Sequence, residues 1–222
     1  MSTIKSSVAV IGLGNIGKVV ATNLVKGNRE VIVASRNRED SEALAKELGP
    51  LARAADVPVA IREADIVVMA VWFSTIQELI RQFATELEAK IIIDPSNPIA
   101  PDGKGGFNKV IGANESAGEI LKGLVPKGAS LVKAFGSLSA ASLAGMAFQN
   151  PPKVLFYASD DSHLDAKIKE LISDSGFEAV RIGGINQSIR MEVFGELHEF
   201  GALGKPVTKS ELKETSLVSN DL

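Results

Sequence analysis

The chain has no cysteine, so disulfides, iron–sulfur ligation and thiol catalysis are all excluded. It also has little of the usual side-chain chemistry for proton transfer, with two histidines, His163 and His198, and a single tyrosine. Both histidines fall in predicted helices without a positioned partner, and we interpret them as packed or solvated. The longest apolar run, from Ile66 to Phe73, is far too short to span a bilayer.

An excess of basic charge is missing as well. The 24 Lys and Arg residues stand against 27 Asp and Glu residues, which gives a net charge of −3 and argues against nucleic acid as the main partner. The first residues, Met1 to Ser7, are too short and too polar for a signal peptide. We therefore expect a cytoplasmic protein without a nucleic-acid partner, a membrane partner or a metal site.

What the sequence does contain is a glycine-rich motif directly after an apolar run and before a helical pattern. The motif comprises Gly12, Leu13, Gly14, Asn15, Ile16 and Gly17. In this context Gly12 permits a tight turn, Gly14 lets the backbone approach a pyrophosphate, and Gly17 lets the helix pack against the strand. The phosphates would lie at the helix N-terminus. The alternative is a strand-to-helix turn without a ligand.

The end of the second predicted strand indicates which dinucleotide is bound. Proteins specific for NAD usually place a carboxylate there, to bond the ribose 2′-hydroxyl. This sequence has Ser35, Arg36 and Arg38 instead, which suit a 2′-phosphate through charge-assisted hydrogen bonds. We therefore predict NADP(H) rather than NAD(H). The alternative is that both arginines are solvated loop charges.

Further candidates follow the later strands, because ligands of open α/β sheets lie outside the carboxyl ends of the strands. Trp72 and Phe73 follow the fourth strand and are candidates to flank a nicotinamide or the electron acceptor, with packing in the core as the alternative. The fifth strand ends in a rigid turn, residues 95–99, that would shape the floor of the pocket. Lys133, late in the sixth strand, is expected to pair with Asp94, with contact to the acceptor as the alternative.

Alternating strands and helices predict an α/β fold: a Rossmann-type doubly wound parallel sheet with a small C-terminal α/β extension. The best boundary candidate is residues 149–152, which divides the chain into a nucleotide-binding domain, residues 1–150, and an extension, residues 151–222. Residues 101–109 are rich in glycine and predict a loop. Residues 187–203 predict a final helix whose polar face carries Arg190, Glu192, Glu196 and Glu199. Residues 205–222 predict an arm or a disordered tail.

Several stretches match one family in order. They are Gly12 to Gly17, Ser35-Arg36, Asp94 to Pro98, Glu115-Ser116-Ala117, Val132 to Phe135, Ser159-Asp160-Asp161, Gly176-Phe177 and Arg190-Met191-Glu192. Over residues 7–203 the sequence resembles the NADPH-dependent reductases related to the NADP oxidoreductase of the deazaflavin coenzyme F(420). It is similar, too, to the cytoplasmic domain of the six-transmembrane ferric reductases. It differs in having Trp72 after the fourth strand and no histidine near Phe135.

The resemblance implies an NADP-dependent oxidoreductase that passes hydride between NADP(H) and a flavin, a deazaflavin or another small acceptor. It also implies three groups of cofactor-binding residues. Leu13, Asn15 and Ile16 would hold the pyrophosphate, and Ser35, Arg36 and Arg38 the 2′-phosphate. Val71, Trp72, Asn97 and Pro98 would face the nicotinamide, and Ala134 and Phe135 the acceptor.

Direct hydride transfer needs alignment and exclusion of water more than acid–base chemistry, so we assign no catalytic residue. A different class remains open, namely a sensor or scaffold that binds NADP(H) without catalysis. A third alternative, a small carbonyl or imine as substrate, is typical of longer dehydrogenases with an all-helical second domain, for which this chain is too short. We also consider a homodimer built through the C-terminal helix and tail.

Overall fold

The computed structural model describes residues 5–218 of the chain. Its strands are β1 (Val8–Ile11), β2 (Val31–Ala34), β3 (Ala52–Ala54), β4 (Ile66–Met69), β5 (Ile91–Asp94), β6 (Ile99–Pro101), β7 (Phe107–Lys109), β8 (Ser130–Ala134), β9 (Val154–Ser159) and β10 (Glu178–Arg181). Its α-helices are α1 (Asn15–Lys26), α2 (Arg38–Leu48), α3 (Val57–Glu63), α4 (Phe73–Gln82), α5 (Ala117–Lys122), α6 (Ala140–Gly145), α7 (Asp165–Asp174) and α8 (Lys209–Lys213). Short 3-10 helices cover Ser162–Leu164 and Ile185–Arg190.

One eight-stranded sheet in the order β10-β9-β8-β5-β4-β1-β2-β3 organises the described chain. From β3 to β8 the neighbours are parallel, whereas β9 pairs antiparallel with β8 and parallel with β10. The strands β1, β2, β4 and β5 are buried along their whole length, as expected of parallel strands covered on both faces. The predicted doubly wound α/β fold is therefore confirmed.

Helices cover both faces of this sheet. The core on one face includes side chains from α1, α2, α6 and α7, and the core on the other includes side chains from α3, α4 and α5. A third apolar cluster packs the C-terminal segment against β9 and β10. No helix within residues 5–218 is both long and apolar enough to cross a membrane.

The extension predicted for residues 151–222 contributes its strands to the same sheet. It is also fastened to the first half of the chain at the amino ends of the parallel strands. There the buried Arg29 guanidinium pairs with Asp174 of α7 at 2.7 Å, and Lys5 pairs with the same carboxylate at 2.9 Å. The division at residue 150 stays a prediction.

The final helix predicted for residues 187–203 is wrong. The 3-10 helix Ile185–Arg190 is followed by tight turns, with Phe194 at φ 71°. A Cβ on Gly201 would lie 1.8 Å from the Gly195 carbonyl oxygen, so the backbone folds back closely on itself. The apolar spacing imitated a helix, but two of the carboxylates predicted for its polar face, Glu192 and Glu199, are buried.

Two other segments also differ from expectation. The predicted loop 101–109 contributes to an antiparallel hairpin of β6 and β7. The tail is ordered over residues 205–218: Thr208 bridges to Lys153, α8 begins with a capping box of Thr208 and Glu211, and Leu212 is buried. Residues 1–4 and 219–222, which also entered the predictions on leader and tail, lie outside the described residues.

Candidate functional site

The glycine motif lies at the switch point of the sheet, where β1 has β2 on one side and β4 on the other. The Gly12 N–H donates to the Ala34 carbonyl at 2.8 Å, and Gly12 has φ 90°. A Cβ on Gly12 would lie 2.4 Å from Val71 Cγ1, and one on Gly17 would lie 1.8 Å from the Gly12 carbonyl oxygen. Both positions therefore require glycine, and Val71 closes the loop from the β4 side.

Gly14 differs from its two neighbours because a Cβ built on it would meet no atom within 4 Å. It is the N-cap of α1 and has no side chain to satisfy the free backbone N–H groups of the first turn, including Asn15 and Ile16. Open space in front of a helix N-terminus suits an anion, since the helix dipole favours negative charge there. The predicted pyrophosphate cradle fits this geometry.

The three residues predicted to bind a 2′-phosphate lie together after β2, but they are not equally available. The Ser35 hydroxyl is bonded to the Asn37 carbonyl at 2.6 Å and lies 3.2 Å from Ser41 Oγ. Arg38 is held by Glu42 at 2.9 Å and by Asp56 at 3.1 Å. The hydrogen bond to Glu42 has the largest effect in raising the pKa of Arg38, and the hydrogen bond to Asp56 has the next largest. Arg36 is exposed, and within residues 5–218 its guanidinium makes no ion pair.

The candidates that follow β4 and β5 lie at the same edge of the sheet. Trp72 is 55% exposed at the N-terminus of α4, whereas Phe73 packs in the core. Both polar ends of the Asn97 side chain are bonded: its Nδ2 donates to the Gly136 carbonyl at 3.0 Å, and its Oδ1 accepts from the Val193 N–H at 2.7 Å. Asn97 therefore joins three segments, and the buried Pro98 follows it as part of the wall.

Ala134 ends β8 and Phe135 follows it, and both side chains are buried in the apolar core. Phe135 has φ 65°, a left-handed conformation that is rare for a bulky residue and that turns the chain sharply at the sheet edge. A Cβ on Gly136 would lie 2.8 Å from the Pro95 carbonyl oxygen, so this turn packs directly on the turn after β5. Because both side chains are buried, the groups that Ala134 and Phe135 can offer at this edge are those of the backbone.

Beneath these turns lies an ion pair that the sequence predicted. Lys133 Nζ is 2.7 Å from Asp94 Oδ2, and both side chains are fully buried. A third buried charge joins them, because Glu192 Oε1 lies 3.7 Å from Lys133 Nζ. Glu192 also accepts from the N–H groups of Ala117 and Gly118 at the start of α5. We call Asp94, Lys133 and Glu192 the buried charge cluster.

The C-terminal segment, residues 192–201, also lines this edge of the sheet, and this was not predicted from the sequence. Glu199 lies at the start of α6, where it accepts from the N–H of the N-cap residue Ser139 and from the Ser142 hydroxyl at 2.5 Å. His198 is 2% exposed, and its Nδ1 accepts from the Phe200 N–H at 3.0 Å. Burial lowers the pKa of His198, although Glu199 and the Gly136 backbone act in the opposite direction. The alternation of glycines and acids in residues 192–201 was the available signal.

The lowered pKa of His198 predicts how stability depends on pH. The ring binds its proton less readily in the folded than in the unfolded chain, so its contribution is complete above the ordinary histidine pKa of about 6.5 and is lost as the pH falls below it. We expect the free energy of unfolding to fall more steeply between pH 7 and pH 5 in the wild type than in His198→Asn. Urea unfolding at each pH measures this, and parallel pH profiles would contradict it. His163→Asn, which removes the second histidine of the chain and leaves His198 in place, is the control.

Two buried hydroxyl groups at this edge are a further feature that fits the nicotinamide end of a dinucleotide. The hydroxyls of Ser96 and Ser137 are buried and have no hydrogen-bond partner in the described part of the chain. A buried polar group without a partner costs about 1–3 kcal/mol. These two hydroxyls are therefore available to a polar group of a bound ligand, beside the two turns that form the edge.

The strand order, the glycine loop at the switch point and the free start of α1 define a Rossmann-fold dinucleotide-binding protein. Residues 7–98 match the family described as NADP oxidoreductase coenzyme F(420)-dependent. The resemblance predicted from the sequence is thereby confirmed over the part that carries the glycine loop, and it supports NADP(H) as the dinucleotide.

Solved structures share the fold over nearly the whole chain. A hypothetical protein from Sinorhizobium meliloti has a TM-score of 0.79 at 26% identity, with 93% of this chain and 96% of that one covered. A putative F(420)-dependent NADP-reductase from an Arthrobacter species has a TM-score of 0.71 at 23% identity, with 89% and 95% covered. The extension is therefore shared with the proteins to which this chain is similar.

Curated relatives are matched over a smaller share of their length. The metalloreductase STEAP3 of Rattus norvegicus is 25% identical over 185 residues, which are 83% of this chain and 35% of that protein. A prephenate dehydrogenase of Lactococcus lactis is 33% identical over 78 residues, which are 35% of this chain and 22% of that protein. The chain thus spans about a fifth to a third of these relatives.

Proposed function

We propose that this protein binds NADP(H) across the switch point of its sheet and transfers hydride between it and a small acceptor, with a flavin or deazaflavin as the first candidate. The proposal is carried by an open phosphate cradle at Gly14 together with Arg36, where NAD-specific proteins place a carboxylate. The Arg36 guanidinium makes no ion pair with any residue from 5 to 218. The family match is consistent with it.

When bound, NADPH supplies a hydride from its nicotinamide ring. The residues of the chain bind the dinucleotide and orient it. The start of α1 receives the pyrophosphate, Arg36 pairs with the 2′-phosphate, and Val71 and Trp72 lie beside the nicotinamide end. The turns after β5 and β8, with the C-terminal segment, form the opposite wall. Hydride transfer in such a site needs no acid or base from the protein. This agrees with the state of the nearby His198, which is buried and bonded to backbone.

Arg36→Ala tests the choice of dinucleotide. Charge-assisted hydrogen bonds contribute about 1.5–3 kcal/mol, so we expect the preference for NADPH over NADH to fall roughly 10- to 100-fold. The preference is the ratio of the two dissociation constants. Each constant is measured in a fluorescence titration, by energy transfer to the bound nicotinamide from Trp72, the only tryptophan of the chain.

Arg38→Ala is the matched control, because its guanidinium is already held by Glu42 and Asp56. We expect it to change the preference less than about threefold, since exposed ion pairs contribute little. An unchanged preference in the variant that lacks both guanidinium groups would contradict the proposal.

Turnover distinguishes the enzyme from a sensor. Stopped-flow absorbance at the NADPH band, with FMN, FAD and riboflavin offered in turn, should show oxidation faster than the same mixture without protein. Binding of NADPH without oxidation by any acceptor would favour a nucleotide sensor or scaffold. A homodimer through the C-terminal segment stays a proposal as well.

A further inference from the structure

The buried charge cluster holds the turn after β5 by both backbone polar groups of one residue, Ser96. Asp94 Oδ1 accepts from the Ser96 N–H at 2.8 Å, and Lys133 Nζ donates to the Ser96 carbonyl oxygen. Asn97 and Pro98, predicted to face the nicotinamide, follow directly. The orientation of that turn is therefore set by the two charges beneath it.

Glu192 connects this turn to the rest of the edge. Its carboxylate accepts from Ala117 N–H at 3.0 Å and Gly118 N–H at 3.1 Å while lying 3.7 Å from Lys133 Nζ. The next residue, Val193, donates its N–H to Asn97 Oδ1. Glu192 is thus connected to the turn by two routes. One is its contact with Lys133, and the other is the hydrogen bond from the Val193 N–H to Asn97.

A requirement for stability does not explain this arrangement, because the cluster places three formal charges with a net charge of −1 in the core. Removing ions from water is costly, and a buried ion pair is often no more stable than an apolar replacement of similar volume. The start of α5 offsets the extra negative charge with two N–H groups. What such a cluster does provide is a single defined orientation for the groups that it bonds.

We propose that Glu192 is a positioning residue for the nicotinamide end of the dinucleotide, acting through Lys133 and Asn97 on the turn of residues 95–98. The proposal rests on the proposed function, since the turn matters only if a nicotinamide lies against it. It assigns no chemical step to Glu192. It adds the C-terminal extension to the binding site, although no residue of the extension was among the predicted cofactor-binding residues.

Two ligands separate positioning from general damage. NADPH carries the nicotinamide end, and 2′-phospho-ADP-ribose lacks the nicotinamide but keeps both linked phosphates and the 2′-phosphate. In Glu192→Gln we expect the dissociation constant of NADPH to rise about tenfold, equivalent to about 1.4 kcal/mol. That of 2′-phospho-ADP-ribose should stay within about twofold, because the glycine loop and Arg36 are untouched. Calorimetric titration measures both.

Asp174→Asn is the matched control, since it weakens another carboxylate of the extension at the opposite edge of the sheet, where it pairs with Arg29. It should lower the thermal midpoint and leave both dissociation constants unchanged. If Glu192→Gln fails to fold, Glu192→Asp keeps the charge and draws the carboxylate back by one methylene. It should show the same selective loss at a smaller size.

Hydrogen exchange of the ligand-free protein tests positioning without any ligand. Amides in residues 94–98 and 133–138 should exchange faster in Glu192→Gln than in the wild type, and Asp174→Asn should leave them unchanged. Equal losses for both ligands, no loss for either, or unchanged exchange in these peptides would overturn the proposal. A wild type that binds neither ligand would instead overturn the proposed function, and the exchange measurement would still decide whether Glu192 orders the turn of residues 95–98.

Discussion

Lys133→Met is expected to lower the free energy of unfolding by about 3–5 kcal/mol. The methionine fills similar space, but it leaves the carboxylates of Asp94 and Glu192 buried without their cation. Breaking a buried ion cluster by removing one partner is among the most destabilising changes in a core. Urea unfolding followed by circular dichroism measures the loss as a shift of the midpoint.

Lys122→Met is the control for Lys133→Met, because Lys122 makes an equally short ion pair with Asp160 at 2.7 Å but at the surface. Its cost should stay within about 1 kcal/mol. Adding Asp94→Asn to Lys133→Met should recover part of the stability, because one of the two unpaired charges is then removed. Equal costs for the two lysine variants would show that burial of the cluster has no energetic consequence.

Substitution of the two glycines at the start of α1 should separate ligand binding from folding. Gly14→Ala places a methyl group in the open space in front of the helix, so we expect dinucleotide affinity to fall about 10- to 100-fold. Its backbone, at φ −75° and ψ −164°, is allowed for alanine, so stability should change by less than about 1 kcal/mol. Titration with NADPH and urea unfolding measure the two quantities.

Gly17→Ala is the companion variant, with the same added methyl group in a filled position. The Cβ would lie 1.8 Å from the Gly12 carbonyl oxygen, so the helix must move away from the strand. We expect a loss of about 1–3 kcal/mol in stability together with weaker binding. Full affinity in Gly14→Ala would contradict a pyrophosphate at this loop, whatever Gly17→Ala does.

Local patterns were sufficient for the half of the chain that carries the nucleotide loop. Short buried runs such as residues 8–11 and 66–69 are apolar along their whole length because both of their faces are covered, so composition alone marks them as parallel strands. The glycine loop was equally visible, because its spacing directly follows a strand and precedes a helix, although the atoms that exclude a side chain at Gly12 belong to Ala70 and Val71. The Lys133–Asp94 pair was predicted because adjacent parallel strands end at one edge.

The C-terminal segment misled the same reasoning. Apolar residues at Ile189, Val193 and Leu197 are spaced as in a helix, and the acids between them suggested a solvated face. In the structure Glu192 and Glu199 turn inward and bond the starts of α5 and α6, in addition to the N-caps Ser116 and Ser139 that these helices already have. The bonded partners are 75 and 57 residues away along the chain, and local spacing contains no record of such contacts.

By itself, the sequence determined the buried parallel strands β1, β2, β4 and β5, the position of the phosphate loop and the absence of a carboxylate after β2, because each is recognised from residues within one strand or one turn. Only the tertiary structure decided that Arg38 forms ion pairs while Arg36 forms none among the described residues, that the tail packs against Lys153, and that Glu192 and His198 lie at the candidate site. The reason is distance along the chain. The carboxylate of Glu192 meets α5 some 74 residues away, and such partners are chosen by packing of the whole sheet.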